Sequence, residues 1–172
     1  MGADEATKLL GIYLEDHVAG ATAGSRRAAR LAEAEAGSDD ADVLAALAGD
    51  ITADHDALLA MMDALGFEPS RLKSGVAAVG EKLGALKPNG RLIERSPLST
   101  IVEIEALQMA VRGKRSLWET LRVAAPAPTT VDLDALIARA DSQMEVLSGL
   151  HDARVAATFR AAGGVHARSA RP

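Results

Sequence analysis

The stretch LAALAGDITADHDALLAMMDAL, residues 44–65, decides the fold. Its large apolar side chains recur every three or four residues, at Leu44, Leu47, Ile51, Leu58, Met61, Met62 and Leu65. This is the period of an α-helix that buries one face. Asp54 lies in the middle of that face, so the pattern predicts a helix that carries a carboxylate toward the protein core.

The composition of the whole chain agrees with a helical protein. Of its 172 residues, 36 are alanine, the strongest helix former, and only four are aromatic. The scarcity of residues that favour strands excludes an all-β fold, and the absence of cysteine excludes a disulfide framework, thiolate metal sites and thiol catalysis. We therefore predict an all-α domain.

Helix breakers and capping residues divide the chain into five predicted helices. They cover residues 4–36, 41–65, 69–87, 97–124 and 133–160. We predict a left-handed stop at Gly37 and N-terminal caps at Ser38, Asp39, Asp40, Ser96 and Asp132. Four of the helices are long, which predicts one antiparallel four-helix bundle over residues 4–160, with the short helix 69–87 in its middle connection. Residues 161–172 are predicted to form a disordered tail.

The net charge of −5 is unevenly distributed along the chain. Residues 1–66 carry 13 acidic and 4 basic side chains, whereas residues 67–125 carry 6 and 10. The acidic total and the few aromatic rings argue against nucleic-acid binding. The chain has no apolar run that could span a bilayer and begins with acidic residues, so no membrane association is predicted and a cytoplasmic location is expected.

Basic residues of the middle segment and the fourth predicted helix form a candidate anion site. The predicted anion-binding residues are Lys87, Arg91, Arg95, Lys114 and Arg115. Such a group of cations suits a phosphate or an acidic protein partner. The alternative interpretation, a solvated charged face, is the commoner one.

Each long helix places one ionisable residue in its apolar stripe: His17, Asp54, Glu103 and His151. Asp16, Asp50 and Glu105 flank this set. Two imidazoles and two carboxylates suit iron, manganese or zinc, which predicts a metal site inside the bundle. The alternative, which we favour, is a set of buried hydrogen bonds that includes a His–Asp pair and Glu103 paired with Lys114 or Arg115. Whether the four residues meet depends on the end of the bundle at which the fourth helix begins.

Two further features concern packing. Residues 19–24 are all small, which predicts a close approach of another helix within the protein rather than a dimer seam. Trp118 is predicted to pack beneath the middle connection.

Two helical hairpins, a long middle connection and inward carboxylates and histidines together resemble the ferritin-like superfamily. That family builds a di-iron centre from Glu and Glu-x-x-His motifs. Glu-x-x-His does not occur in this chain, although Glu103 and Glu105 match the position of a third-helix Glu. Residues 14–24 and 113–118 are also similar to a group of uncharacterised actinobacterial helical proteins. The resemblance implies a ferritin-like fold without an assured oxidase centre.

Three functions are compatible with these patterns. The first, which we favour, is a non-catalytic binding or structural module, as a monomer or a homodimer. The second is a metal-binding protein that handles iron, manganese, zinc or peroxide. The third is an adaptor that binds an anionic or protein partner through residues 71–115.

Overall fold

The structure is a computed structural model that describes residues 2–67, 96–124 and 131–161. These residues form four α-helices: α1 (Ala3–Ala34), α2 (Ala41–Ala64), α3 (Pro97–Ala124) and α4 (Leu133–Ala161). The described residues contain no strand, so the predicted all-α, four-helix class is confirmed. The predicted short helix 69–87 lies outside the described residues, as does the predicted tail beyond residue 161. None of the four described helices is both long and apolar enough to cross a membrane.

Two of the predicted N-terminal caps are confirmed. The backbone N–H of Leu98 donates to Ser96 Oγ at 3.3 Å, and that of Ala135 donates to Asp132 Oδ1 at 3.0 Å. Of the residues predicted to cap α2, Asp40 makes no capping bond with its side chain and accepts a hydrogen bond from Arg154 instead. Ser38 Oγ accepts a hydrogen bond from the backbone N–H of Asp40 at 3.3 Å.

The predicted left-handed stop occurs at the end of α2 rather than at the end of α1. Gly66 has φ +77°, and it is the only residue with positive φ in the described part of the chain, so the prediction for Gly37 is wrong. The N–H of Gly66 donates to Asp63 O and the N–H of Phe67 donates to Met62 O, both at 2.9 Å. This is the paired-bond Schellman termination, which requires the left-handed residue that glycine adopts without strain.

Contacts between the helices show which ends lie together. At one end, the Phe67 ring that follows α2 covers Gly11 of α1, where an added Cβ would come within 2.9 Å of the ring. At the other end, Thr100 Oγ1 near the start of α3 donates to Glu35 Oε1 after α1, at 2.8 Å. Phe67 and Ser96, which flank residues 68–95, therefore lie at opposite ends of the bundle.

The core consists of two apolar clusters along the bundle. The cluster nearer Phe67 includes Leu14, Leu58, Met61, Trp118 and Leu121. The other cluster includes Leu31, Leu44, Leu47, Ile51, Leu107 and Leu147. Asp54 lies on α2 between Ile51 of one cluster and Leu58 of the other, and it is fully buried. A charged group thus occupies the middle of a core that is mainly apolar.

Candidate functional site

Asp54 is the centre of a buried ionic network. Lys114 of α3 donates to its Oδ2 atom, as does the side-chain amide of Gln143 on α4 at 2.9 Å. Arg139 of α4 donates from Nε to Oδ1 at 2.7 Å. A carboxylate can remain charged in an apolar interior when it is paired in this way, and both of its oxygens are satisfied.

The helical period explains how three helices supply this network. Arg139 and Gln143 are four residues apart, so they share one face of α4. Lys114 lies in the inward stripe of α3, and its ammonium also donates to Gln143 Oε1. The long stems of Lys114 and Arg139 let their charged ends reach the buried acid while part of each side chain stays near the surface.

The surroundings of Lys114 act on its charge in two directions. Burial lowers the pKa of the Lys114 ammonium, and it is the largest effect. The charge and the hydrogen bond of Asp54 oppose this shift, and Arg139 adds a smaller repulsion. The net pKa is below the ordinary lysine value, although the ion pair with Asp54 keeps the charged form compensated.

A cavity of about 340 Å³ lies beside the network, between α1, α2 and α3. Its apolar wall residues include Ala21, Ile51, Leu58, Leu107, Val111 and Leu117. Its polar wall residues are Asp16, His17, Asp54, His55 and Lys114. Asp16, Gly20 and Ala110 are lining residues that are also exposed, so they mark its opening to solvent.

Small residues of α1 create the space. Gly20, Ala21 and Gly24 all line the cavity. A Cβ added to Gly24 would lie 3.8 Å from Ala110 Cβ, which is an ordinary contact, and one added to Gly20 would meet nothing within 4 Å. The small stretch 19–24 was predicted to bring another helix close, and it does so at Gly24, which is buried beside Ala110 of α3. Around Gly20 it leaves an open volume.

His17 lies half-buried in the cavity wall. Burial lowers its pKa below the usual 6.5, with the charge of Asp16 acting in the opposite direction, so the neutral form of the ring predominates at pH 7. Its described partner is Tyr13, whose ring packs edge-on with centroids 4.5 Å apart. His55 behaves differently, since its Nε2 lies 3.2 Å from Thr22 Oγ1.

Trp118 also lines the cavity and is fully buried in the cluster nearer Phe67. Its indole Nε1 has no hydrogen-bond partner among the described residues. Unpaired buried donors are uncommon in native interiors and mark positions of functional interest. The predicted contact of Trp118 with the middle connection involves residues 68–95, which are outside the described residues.

The structure separates the four residues of the predicted metal site. His17 and Asp54 line the same cavity, whereas Glu103 and His151 do not. His151 Nε2 lies 3.2 Å from Glu105 Oε1 instead. The reason is that α3 begins at the end of the bundle opposite Phe67, which carries its first turns away from His17.

The chemistry around Asp54 also differs from that of a metal site. Its partners are two cations, which repel a metal ion rather than help to bind one. The flanking residues Asp16 and Asp50 are exposed. Across residues 2–67, 96–124 and 131–161, no three His, Asp or Glu side chains lie close enough together to hold a metal ion.

The predicted anion site is also divided. Lys114 is neutralised by Asp54, and Arg115 is bound by Asp141 at 2.6 Å and Glu119 at 2.7 Å. Lys87, Arg91 and Arg95 lie outside the described residues. Glu103 was expected to pair with Lys114 or Arg115. These two cations pair with other carboxylates instead, Lys114 with Asp54 and Arg115 with Asp141 and Glu119.

Sequence reasoning missed Arg139 and Gln143, the two α4 members of the network. For Lys114 the sequence did contain a signal, because Lys114 and Asp54 interrupt two apolar stripes with opposite charges. A buried acid on one stripe requires a cation on a facing stripe. The position of Gln143 on the buried face of α4 offered no comparable charge signal. No family model, curated protein or solved structure matches this chain.

Proposed function

We propose that this chain is an antiparallel, ferritin-like four-helix bundle that serves as a non-catalytic binding protein for a small, mainly apolar molecule. The cavity between α1, α2 and α3 is the observation that carries this proposal. The positions of Phe67 and Ser96 at opposite ends support the ferritin-like part. A middle connection that joins opposite ends of the bundle is the one long crossover of that fold.

The size and walls of the cavity support a ligand of one or two rings. An apolar cavity of about 150 Å³ already holds benzene, and small-molecule pockets begin near 300 Å³. The cavity here has about 340 Å³ and is walled chiefly by aliphatic side chains. Burial of a ligand's apolar surface against such walls supplies the free energy of binding.

The bonding of the network supports binding rather than catalysis. A general base or nucleophile must be free to take a proton or attack a substrate. Both oxygens of Asp54 already accept hydrogen bonds, and Lys114 is held by Asp54 and Gln143. The polar groups at the centre are therefore committed to holding three helices together.

A cavity-filling substitution tests this function. We expect ethylbenzene or acetophenone to bind one per chain to the wild-type protein, as measured by titration calorimetry. Gly24→Leu should abolish this binding, because Gly24 lines the cavity and its Cβ position is free of severe contacts. The single indole N–H signal of Trp118 in an NMR spectrum should shift on binding, since Trp118 lines the cavity.

Gly49→Leu is the matched control. Gly49 is also in a helix, is exposed, has open space at its Cβ position and does not line the cavity. Both substitutions improve helix propensity by a similar amount, about 1 kcal/mol or less, so a difference in ligand binding reports the cavity. If neither compound binds to the wild-type protein, or if Gly24→Leu binds as well as Gly49→Leu, the proposed function is wrong.

A further inference from the structure

We infer that the ligand of this cavity is a neutral molecule that carries a carbonyl oxygen, such as a ketone or an ester, and that this oxygen accepts a hydrogen bond from Lys114. The inference rests on the proposed function, because it specifies the chemistry of the same cavity. It follows from the donors that face the cavity and from the balance of charges around them.

Lys114 provides the donor. An ammonium group has three N–H bonds. Asp54 and Gln143 accept two of them, and no other acceptor for the third occurs among the described residues. The Lys114 side chain lines the cavity with 13% of its surface exposed. A ligand oxygen that replaces water at this N–H would keep the donor satisfied inside an apolar space.

Trp118 is not the donor that faces the ligand. Its Nε1 atom has no partner among the described residues, but protein atoms cover it, so it offers no surface to the cavity. The aliphatic and aromatic groups of the wall therefore contact the apolar body of the ligand. Two donors of the described cavity wall remain, the third N–H of Lys114 and the ring N–H of His17. Lys114 is the charged donor and forms the stronger hydrogen bond, so it orients the ligand's oxygen.

The charges around Lys114 favour a neutral ligand. Lys114 and Arg139 are balanced by Asp54 in the network and by Asp50, which also acts on Lys114. Asp16 lies at the opening of the cavity. No excess of positive charge is left to offset the cost of moving a carboxylate out of water. A cationic ligand is disfavoured for a different reason, since Lys114 would repel it.

Neutral His17 agrees with this assignment. Its half-buried ring lines the cavity and has a lowered pKa, so it adds no positive charge at pH 7. His55 faces the cavity from α2 and is engaged by Thr22 and Asp56. On α1, His17 thus provides no cation that would attract an anion.

Three ligands of similar size and different polarity test the inference at pH 7.5. Acetophenone has a neutral carbonyl oxygen, ethylbenzene has none, and benzoate has a charged carboxylate. We expect acetophenone to bind about tenfold more tightly than ethylbenzene, which is the effect of one hydrogen bond from a charged donor. Benzoate should bind more weakly than acetophenone. Titration calorimetry measures the three affinities, and the Trp118 indole signal verifies the site.

Lys114→Met removes the donor but keeps an apolar stem of similar length. The ratio of the acetophenone and ethylbenzene affinities should fall to about one in this variant. Arg115→Met is the control, because the neighbouring arginine binds Asp141 and Glu119 and does not line the cavity. If Lys114→Met does not fold, the affinities of the wild-type protein alone decide the question.

The outcomes separate the two proposals. Equal affinities for acetophenone and ethylbenzene would overturn the carbonyl inference while leaving the apolar binding function intact. Tightest binding by benzoate would overturn the requirement for a neutral ligand. An unchanged affinity ratio in folded Lys114→Met would overturn the role of Lys114. Absence of binding by all three compounds would refute both proposals.

Discussion

Two ionic clusters join residues of the first two helices and their connection to residues of the last two helices, and the clusters differ in burial. The central cluster surrounds Asp54, whose side chain has 0% exposure. The end cluster surrounds Arg154 of α4, which binds Glu35 at 2.9 Å and Asp40 at 2.8 Å. In the end cluster, Arg154 is 27% exposed, Asp40 32% and Glu35 11%, whereas Asp54 in the centre has no exposed surface.

The difference shows that similar contacts have different energetic consequences in the two places. Water and salt can replace a lost partner at the end of the bundle, so an exposed pair contributes little. In the centre, the loss of one partner leaves charges in an apolar interior with nothing to compensate them. The central cluster, which links α2, α3 and α4, is therefore expected to contribute more to stability than the end cluster, whose contribution is smaller and depends on salt.

The largest effect is expected for Asp54→Asn. This substitution keeps the size of the side chain but leaves Lys114 and Arg139 without their carboxylate. We expect the free energy of unfolding to fall by about 3 kcal/mol, at the low end for a broken buried pair because Arg139 is partly exposed. Urea denaturation followed by circular dichroism measures the change.

Asp56→Asn is the matched control, since Asp56 is two residues away on the same helix and 70% exposed. It should change the free energy of unfolding by less than about 0.5 kcal/mol. Equal losses of stability in the two variants would show that burial does not determine the cost of removing a carboxylate in this protein.

An intermediate effect is expected for Arg154→Ala. The substitution removes contacts to Glu35 and Asp40, but Asp40 is partly exposed to water and Glu35 still accepts a hydrogen bond from Thr100. We expect a loss of about 1 kcal/mol at low salt, shrinking as salt is raised, because the cluster is partly exposed. Denaturation at two ionic strengths tests this expectation. A loss as large as that of Asp54→Asn, or one that salt does not change, would contradict it.

The smallest effect concerns His17, which lies in the cavity beside the central cluster. Its folded-state pKa is below the unfolded value of 6.5, so the unfolded chain binds more protons when the pH falls below 6.5. The contribution of His17 to the free energy of unfolding is therefore complete above pH 6.5 and is lost as the solution becomes more acidic.

Unfolding free energies measured from pH 7.5 to 5 for the wild type and His17→Gln test this sign. The variant should lose less stability over the range than the wild type does. A steeper loss of stability in the variant would show that the cavity favours the charged imidazole. Burial in the cavity wall would then not lower the pKa of His17, which would contradict the expectation.

Much of the local structure could be predicted from the sequence. The stripe from Leu44 to Met62 is buried as expected, and Asp54 within it faces the core. The caps at Ser96 and Asp132 were also predicted, because a cap depends on residues two or three positions away. The stop at Gly37 failed because glycine permits the left-handed conformation without requiring it, and the backbone adopts it at Gly66.

The candidate site was predicted less well. His17 and Asp54 were expected to face the interior, and both line the cavity, but Glu103 and His151 do not join them. The cavity itself was not predicted. A run of small residues has the same sequence signature whether a helix packs closely against it or a space remains beside it.

By itself, the sequence determined that the chain forms long amphipathic helices and that Asp54 faces the interior, where it must pair, bind a metal or become neutral. Both follow from spacings of three or four residues, which act within a single helix. Only the tertiary structure decided that Lys114, Arg139 and Gln143 supply the compensation, because these residues lie 60, 85 and 89 positions from Asp54 along the chain. The tertiary structure also decided that the small side chains of α1 border an open cavity. That outcome depends on how α3 is placed beside α1, which the sequence of α1 does not specify.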